Sequence, residues 1–201
     1  MDDIFDASKL SADDEPRLRG MRNAMTKLMD LYRPGWHNDP STEETHMRFV
    51  KYLLEFNQPF PMEKVFGSTF QVQKGHHSMV IQRKIPFRMI CEHHLLPAMG
   101  EAFLGYVPAD RVLGLSKLTR LVQAVGVGMP SLQEHIADRI CDLMDDHLRP
   151  KGTMLVIRAE HGCMACRGVN SPGVDTVTSV VRGVFRDNHV AREEFLSLIK
   201  G

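Results

Sequence analysis

Two short segments of this 201-residue chain contain most of the side chains that could bind a metal ion. Residues 91–94 read Cys-Glu-His-His, and residues 161–167 read His-Gly-Cys-Met-Ala-Cys-Arg. Together they hold three histidines and three cysteines, whose nitrogen and sulfur atoms are the ligands that Zn²⁺ prefers. A catalytic zinc usually takes three ligands from the protein and keeps one position for water. These segments therefore predict a zinc site and favour metal-assisted hydrolysis.

The spacing of these residues predicts which of them bind the metal. Cys91 and His94 are separated by two residues, so that one turn can close both side chains around a single ion. Cys163 can supply a third ligand from the later segment. His93 and His161 flank these ligands, and their imidazoles could transfer protons.

Cys166 leaves an alternative open. The pair Cys163 and Cys166 could join Cys91 and His94 in a closed, purely structural zinc site with four protein ligands. The two pairs are about seventy residues apart, whereas roughly 12 to 20 residues separate the pairs of zinc fingers and ribbons. The spacing therefore favours the open site. In a further alternative the cysteines are small buried hydrophobes, but the repeated pairing with histidine argues against it.

A third segment, residues 114–120 (Gly-Leu-Ser-Lys-Leu-Thr-Arg), is typical of a helix start that binds an anion. Ser116 is a good N-cap, and the free N–H groups of a first helical turn attract negative charge. Lys117 and Arg120 are three residues apart and so share a helix face. Arg167 adds a third cation. A solvated basic face is the alternative interpretation, and the anion site favours a phosphorylated substrate.

Gln133 and Glu134 lie in the first turn of a predicted long helix. A glutamate there complements the helix dipole without any further role. A functional hypothesis is base recognition, in which the carboxylate accepts two N–H groups from the edge of a guanine while the glutamine fixes the orientation.

Composition excludes several classes of protein. Lys+Arg and Asp+Glu both number 25, so that the net charge is zero and a broad nucleic-acid surface is not expected. No apolar run approaches the roughly 20 residues of a membrane span, and the acidic N-terminus lacks the features of a signal peptide. With four cysteines and no export signal, we expect a cytoplasmic protein with reduced thiols and no membrane partner.

Hydrophobic periodicity predicts an α+β fold with a largely antiparallel sheet, because strands arrive in pairs with helices between them. The predicted helices cover residues 14–32, 41–56, 116–125, 131–148 and 190–199, the second opened by a capping box at residues 41–44. The predicted strands cover residues 69–73, 78–85, 101–107, 153–159 and 175–185, with a turn around Gly75 after the first. We predict an N-terminal helical segment, residues 1–66, and a catalytic domain, residues 67–201.

In combination, these segments resemble the GTP cyclohydrolase I family over roughly residues 79–199. The matching motifs are residues 91–97 (CEHHLLP), 106–108 (YVP), 114–120 (GLSKLTR), 133–134 (QE), 161–169 (HGCMACRGV), 176–179 (TVTS) and 183–185 (GVF). The resemblance implies a tunnelling fold, in which an antiparallel sheet is backed by helices and subunits join their sheets into a ring. Two stacked rings would form a homodecamer.

The resemblance also implies an activity, the zinc-dependent hydrolysis of GTP to 7,8-dihydroneopterin triphosphate and formate. Folate, tetrahydropterin and 7-deazaguanine routes share this first step. The resemblance gives each candidate residue a role: zinc ligands, Cys91, His94 and Cys163; proton transfer, His93 and His161; catalytic assistance to ribose opening, His93 and Ser116; ribose and triphosphate binding, Ser116, Lys117, Arg120 and Arg167; guanine recognition, Gln133 and Glu134. Two rival hypotheses are a zinc-stabilised binding protein without catalysis and a tunnelling-fold enzyme that acts on a pterin or a 7-deazaguanine precursor.

Overall fold

The computed structural model describes residues 15–57, 62–72 and 78–200. The helices are α1 (Glu15–Tyr32), α2 (Thr45–Glu55), α3 (Glu63–Phe66), α4 (Leu115–Gly126), α5 (Gln133–His147), α6 (Gly162–Ala165), α7 (Val184–Asp187) and α8 (His189–Leu198). The strands are β1 (Thr69–Gln71), β2 (Val80–Ile90), β3 (Pro97–Val107), β4 (Arg111–Leu113), β5 (Gly152–His161) and β6 (Asp175–Val181). The predicted turn around Gly75 lies outside the described residues.

The chain divides into two compact units, residues 1–58 and 59–201. In the first unit α1 packs against α2, and the buried indole of Trp36 donates a hydrogen bond to Asp30 over 2.8 Å. The predicted boundary between residues 66 and 67 falls inside the second unit. The physical reason is Val65 on α3, which is fully buried in the main core of that unit.

The main sheet has four antiparallel strands in the order β2-β3-β5-β6, as the pairing of predicted strands indicates. A separate two-stranded sheet joins β1 to β4. The register of β3 with β5 runs from Val107 opposite Gly152 to Ala98 opposite His161. The start of β3 and the end of β5 therefore lie side by side.

Both faces of the main sheet are covered by apolar packing, because successive side chains of a strand point to opposite faces. On β5, Leu155 and Ile157 belong to the core cluster that α4 and α5 share. Met154 and Val156 belong to a second cluster with Phe195 of α8 and other residues of α7 and α8. Each fully buried aliphatic side chain of this kind contributes about 1.5–3 kcal/mol. No helix in the described part of the chain combines the length and the apolar character that a membrane crossing needs.

Two predicted helix caps are wrong. The capping box at residues 41–44 does not form: α2 begins at Thr45, and the Thr42 hydroxyl donates to the carbonyl of Trp36 instead. Ser116 is not the N-cap of α4, because the helix begins one residue earlier and Gly114 takes that position. The Gly114 carbonyl accepts the first bond of the helix from the Lys117 amide over 2.8 Å.

Several strand boundaries also differ from those predicted, and two of these differences have a local cause. β2 continues to Ile90 through Pro86, which is tolerated because β2 is an edge strand and needs its hydrogen bonds on one side only. The last strand ends at Val181 and not at residue 185, since Gly183 has a positive φ of 53° that turns the chain into α7.

We predict that Tyr106→Phe lowers the free energy of unfolding by about 1–3 kcal/mol, the cost of an unpaired buried donor. Tyr106 is fully buried on β3, and its phenolic oxygen accepts a hydrogen bond from the Leu113 amide over 2.9 Å. Burial raises the pKa of Tyr106, so that the phenol stays neutral. Urea unfolding followed by circular dichroism measures the loss.

The matched control is Tyr32→Phe, since the Tyr32 side chain is 82% exposed at the end of α1. We expect this variant to stay within about 0.5 kcal/mol of the unmodified chain. Equal stability of the Tyr106→Phe and Tyr32→Phe variants would contradict the role given to the buried phenol.

Candidate active site

The connection from β2 to β3 forms a closed turn that carries the first two predicted metal ligands. The Cys91 amide donates to the Leu96 carbonyl over 3.0 Å, and the Leu95 amide donates to the Cys91 carbonyl over 2.9 Å. Leu95 has a φ of 52°, in the left-handed region that a non-glycine residue rarely occupies. The turn leaves the Cys91 Sγ and the His94 Nδ1 3.9 Å apart.

Backbone hydrogen bonds tie this turn to the segment that precedes α5. The Ser131 amide donates to the Ile90 carbonyl over 3.0 Å, and the Glu92 amide donates to the Ser131 carbonyl over 3.2 Å. Because α5 begins two residues after Ser131, these bonds bring Gln133 and Glu134 beside the metal-ligand turn.

The third predicted ligand arrives from the end of β5. After His161 the chain passes Gly162, where an added Cβ would lie only 2.9 Å from the Pro97 carbonyl oxygen. A residue without a side chain therefore allows β5 to approach the start of β3. The short helix α6 then carries Cys163, and the donor atoms of Cys91, His94 and Cys163 all lie within 4.8 Å of one another.

These three side chains fit a zinc ion. Two sulfur donors and one imidazole are the ligand types that Zn²⁺ prefers. Burial, and next the neighbouring Cys91 thiol, raise the pKa of the Cys163 thiol, whereas Arg167 lowers it. Two adjacent thiolates would repel each other, and a bound divalent cation would offset that repulsion.

Cys166 is not part of this group of ligands. Its thiol is exposed and donates to the Gly162 carbonyl over 2.9 Å. Three protein ligands with a fourth coordination position for water are typical of catalytic zinc, and four protein ligands of structural zinc. The geometry therefore favours the open site.

A cleft of about 240 Å³ contains the metal ligands. It also brings together four of the other predicted site residues, namely His93, His161, Gln133 and Glu134. The remaining lining residues are Met89, Ser131, Leu132, Met164 and Thr176. The first turn of α5 and the end of β5 thus face the same space as the metal ligands.

His161 is held by a part-buried hydrogen-bond network that runs through the Gln133 amide. Its Nε2 lies 2.8 Å from the Oε1 of Gln133, a side chain that is only 2% exposed. The Gln133 Nε2 donates to the Thr178 hydroxyl over 3.0 Å and to the Thr176 carbonyl over 3.1 Å. Burial lowers the pKa of His161, and the Glu134 carboxylate acts in the opposite direction. The imidazole is therefore fixed at the edge of the cleft.

The predicted phosphate-binding residues do not line this cleft. Ser116, Lys117, Arg120 and Arg167 are not among the residues that line the cleft of their own chain, within the part that the structure describes. The Lys117 ammonium donates to the Lys64 carbonyl over 2.7 Å. Arg167 is close enough to Cys163 to lower the pKa of its thiol.

Two contacts of the site were not predicted from the sequence. Thr178 holds the amide of Gln133, and Ser131 connects the metal-ligand turn to α5. Thr176 and Thr178 stand two apart on β6, and residues two apart on a strand share a face. That spacing is the signal by which the polar face of β6 could have been found.

We predict that Cys163→Ser lowers the zinc content of the purified protein far below one ion per chain, since the ligand trio of Cys91, His94 and Cys163 would lose a thiolate. Atomic absorption measures the stoichiometry. The matched control is Cys166→Ser, which we expect to keep the metal because that thiol bonds a carbonyl outside the trio. Loss of zinc from the Cys166→Ser variant would support the closed four-ligand site instead.

Comparisons with known proteins point to one family. The model of the GTP cyclohydrolase I family matches residues 21–200. The GTP cyclohydrolase 1 of Aquifex aeolicus (strain VF5) is 42% identical over 183 residues, which are 90% of this chain and 97% of that protein. The GTP cyclohydrolase 1 of Dictyostelium discoideum is 40% identical over 183 residues, which are 89% of this chain and 78% of that protein.

A solved structure, the archaeosine synthase QueF-Like in the apo form, is 14% identical with a TM-score of 0.43. That likeness covers 54% of this chain and 96% of the other, and it is too small to bear on function. The family match, by contrast, spans most of the chain and confirms the predicted α+β tunnelling fold. The chain therefore belongs to the GTP cyclohydrolase I family and is an enzyme of the hydrolase class.

Proposed function

We propose that this enzyme hydrolyses GTP to 7,8-dihydroneopterin triphosphate and formate with a zinc ion held by Cys91, His94 and Cys163. The observation that carries the proposal is the convergence of this trio with His161 and Glu134 in one cleft. The names of the relatives support the same substrate, because they are described as GTP cyclohydrolase 1.

Glu134 selects guanine in this proposal. Its carboxylate lies in the first turn of α5, beside the other residues of the cleft. A carboxylate is an acceptor only, and it matches the adjacent N1–H and 2-amino N–H groups of guanine. Adenine offers no hydrogen at N1, so the same carboxylate would discriminate against ATP.

The histidines of the cleft move protons in this proposal. When bound, Zn²⁺ is a Lewis acid that makes water nucleophilic near neutral pH. His161, fixed by Gln133, delivers a proton to N7 of guanine as the imidazole ring of the base opens. The side chain of His93 is 61% exposed, and together with Ser116 it assists the later opening of the ribose.

The triphosphate would bind between two copies of the chain. Ser116, Lys117 and Arg120 occupy the first turns of α4, where free N–H groups and cations attract phosphate. Because they do not line the cleft of their own chain, the substrate would meet the α4 start of a neighbouring copy. We propose that the homodecamer, built as two stacked rings, supplies that neighbour.

We predict that the unmodified protein releases formate from GTP, and that His161→Ala loses ring opening. A general acid–base group contributes about 10²- to 10⁴-fold, so a loss of formate release of that order is expected. His93→Ala should instead accumulate ring-opened material. Formate assay and chromatography of the products measure both effects.

Two results would contradict these roles. Formate release at the normal rate by His161→Ala would remove that residue from the mechanism. Absence of formate from the unmodified, zinc-loaded protein would contradict the proposed function as a whole.

We predict that Arg120→Ala or Arg167→Ala raises the KM for GTP about 10- to 100-fold, because a hydrogen bond to a charged group is worth roughly 1.5–3 kcal/mol. Glu134→Gln should raise the KM by a similar factor, since the amide keeps one acceptor oxygen but turns an NH₂ donor towards the second N–H group of guanine. Steady-state kinetics measure these changes.

Arg139→Ala is the control for charge, since Arg139 is exposed on α5 and has no role in the proposal. Competition assays with guanosine and with ATP test the phosphate-binding residues and Glu134 separately. Guanosine competing as well as GTP would contradict the phosphate site, and ATP competing equally would contradict the role of Glu134.

A further inference from the structure

We propose that Gln133 and Thr178 position His161 by a hydrogen-bond relay through the buried Gln133 amide, which fixes the imidazole Nε2 as the donor to the Gln133 amide oxygen. This inference rests on the proposed function. It also changes one assignment from the sequence: Gln133 acts on the catalytic imidazole, and Glu134 alone reads the guanine.

The surroundings of Gln133 determine the orientation of its amide. The nitrogen end lies 3.1 Å from the Thr176 carbonyl oxygen and 3.5 Å from the Ile157 carbonyl oxygen. A backbone carbonyl can only accept, so the NH₂ group must face these two oxygens. The amide oxygen must therefore face His161.

This orientation determines the tautomer of His161. The amide oxygen of Gln133 also only accepts, and it lies 2.8 Å from the imidazole Nε2. Nε2 must then carry a hydrogen, in the neutral imidazole and in the imidazolium alike. If Nδ1 alone carried the hydrogen, the lone pair of Nε2 and a lone pair of the Gln133 amide oxygen would face each other over 2.8 Å. Nε2 is thus held as a donor to Gln133, and this bond fixes the orientation of the imidazole ring.

The relay is rigid because its members belong to three elements. Gln133 begins α5, His161 ends β5, and Thr178 lies on β6. Gln133 is 2% exposed, so turning its amide towards a guanine would leave His161 and the Thr176 carbonyl without their partners. Buried polar groups rarely remain unpaired.

A substitution at Thr178 can test the relay without changing a contact with the substrate. Its hydroxyl accepts from the Gln133 amide over 3.0 Å. The described lining of the cleft includes Thr176 but not Thr178. A change at Thr178 therefore reaches the reaction through Gln133 and His161 and not through a contact with the base.

The test is steady-state kinetics of the zinc-loaded full chain with GTP, using Thr178→Val and Gln133→Met. Both replacements keep the shape of the side chain and remove its hydrogen bonding. We expect Gln133→Met to lower kcat about 10- to 100-fold, as for other groups that orient a functional imidazole. Thr178→Val should lower kcat about 3- to 10-fold, the effect of one lost hydrogen bond. In both variants the KM should stay unchanged.

Thr153→Val is the matched control. Thr153 is buried at the opposite end of β5 and donates to Asp145, so its loss tests a threonine of the same sheet outside the relay. We expect its kcat and KM to equal those of the unmodified chain. If Gln133→Met fails to fold or to retain zinc, the comparison of Thr178→Val with Thr153→Val carries the test.

A raised KM with an unchanged kcat in Gln133→Met would assign Gln133 to guanine recognition and overturn the inference. An unchanged kcat in Thr178→Val would also overturn it.

A second measurement needs no GTP: ¹⁵N NMR of histidine-labelled protein, with the His161 signal identified by its loss in His161→Asn. The inference requires the Nε2–H tautomer, and an Nδ1–H tautomer would overturn it even if the proposed activity holds. Absence of formate release from the unmodified chain would instead count against the proposed function.

Discussion

The antiparallel pairing of β3 with β5 is the constraint on which the candidate active site depends. The metal-ligand turn lies immediately before β3, and Cys163 lies two residues after the end of β5. Their register, which ends with Ala98 opposite His161, brings the two segments together although about seventy residues separate them in sequence. A slip by one residue would turn each side chain of β5 to the opposite face of the sheet, which both apolar clusters oppose. The apolar core and the metal ligands thus require the same register.

The polar groups of the site lie on regular elements and not on long loops. His161 ends a strand, and Gln133 and Glu134 begin a helix. An imidazole held in this way loses little freedom when a substrate arrives, because its orientation is already determined. The cost is a buried amide among apolar residues, which is offset because both ends of the Gln133 amide have partners.

The sequence was most informative where ligand chemistry restricts the choice of residue. Cysteine and histidine at these spacings predict a metal site, and the structure brings Cys91, His94 and Cys163 together. Alternating apolar residues likewise predict the antiparallel sheet. Contacts between distant elements were not predictable in this way: the bond from Gln133 to His161 depends on how α5 packs against β5, and no periodicity encodes it. The start of α4 was misplaced for a local reason: Ser116 is the more favoured N-cap by residue type, but glycine is also accepted there, and the helix begins after Gly114. The phosphate-binding residues are a further case, because a pattern within one chain says nothing about residues that meet in an assembly.

Gly162 has a consequence for how variants of this enzyme should be interpreted. It provides no donor atom, no charge and no apolar surface, yet any side chain there would collide with the Pro97 carbonyl and push α6 away from β3. A substitution at this position would therefore imitate the loss of a metal ligand while every ligand is still present. Among natural or laboratory variants, the substitutions that residue 162 tolerates depend on how close α6 lies to the start of β3, and not on the chemistry of the neighbouring ligands. A survey limited to side chains that bind metal or substrate would therefore overlook Gly162.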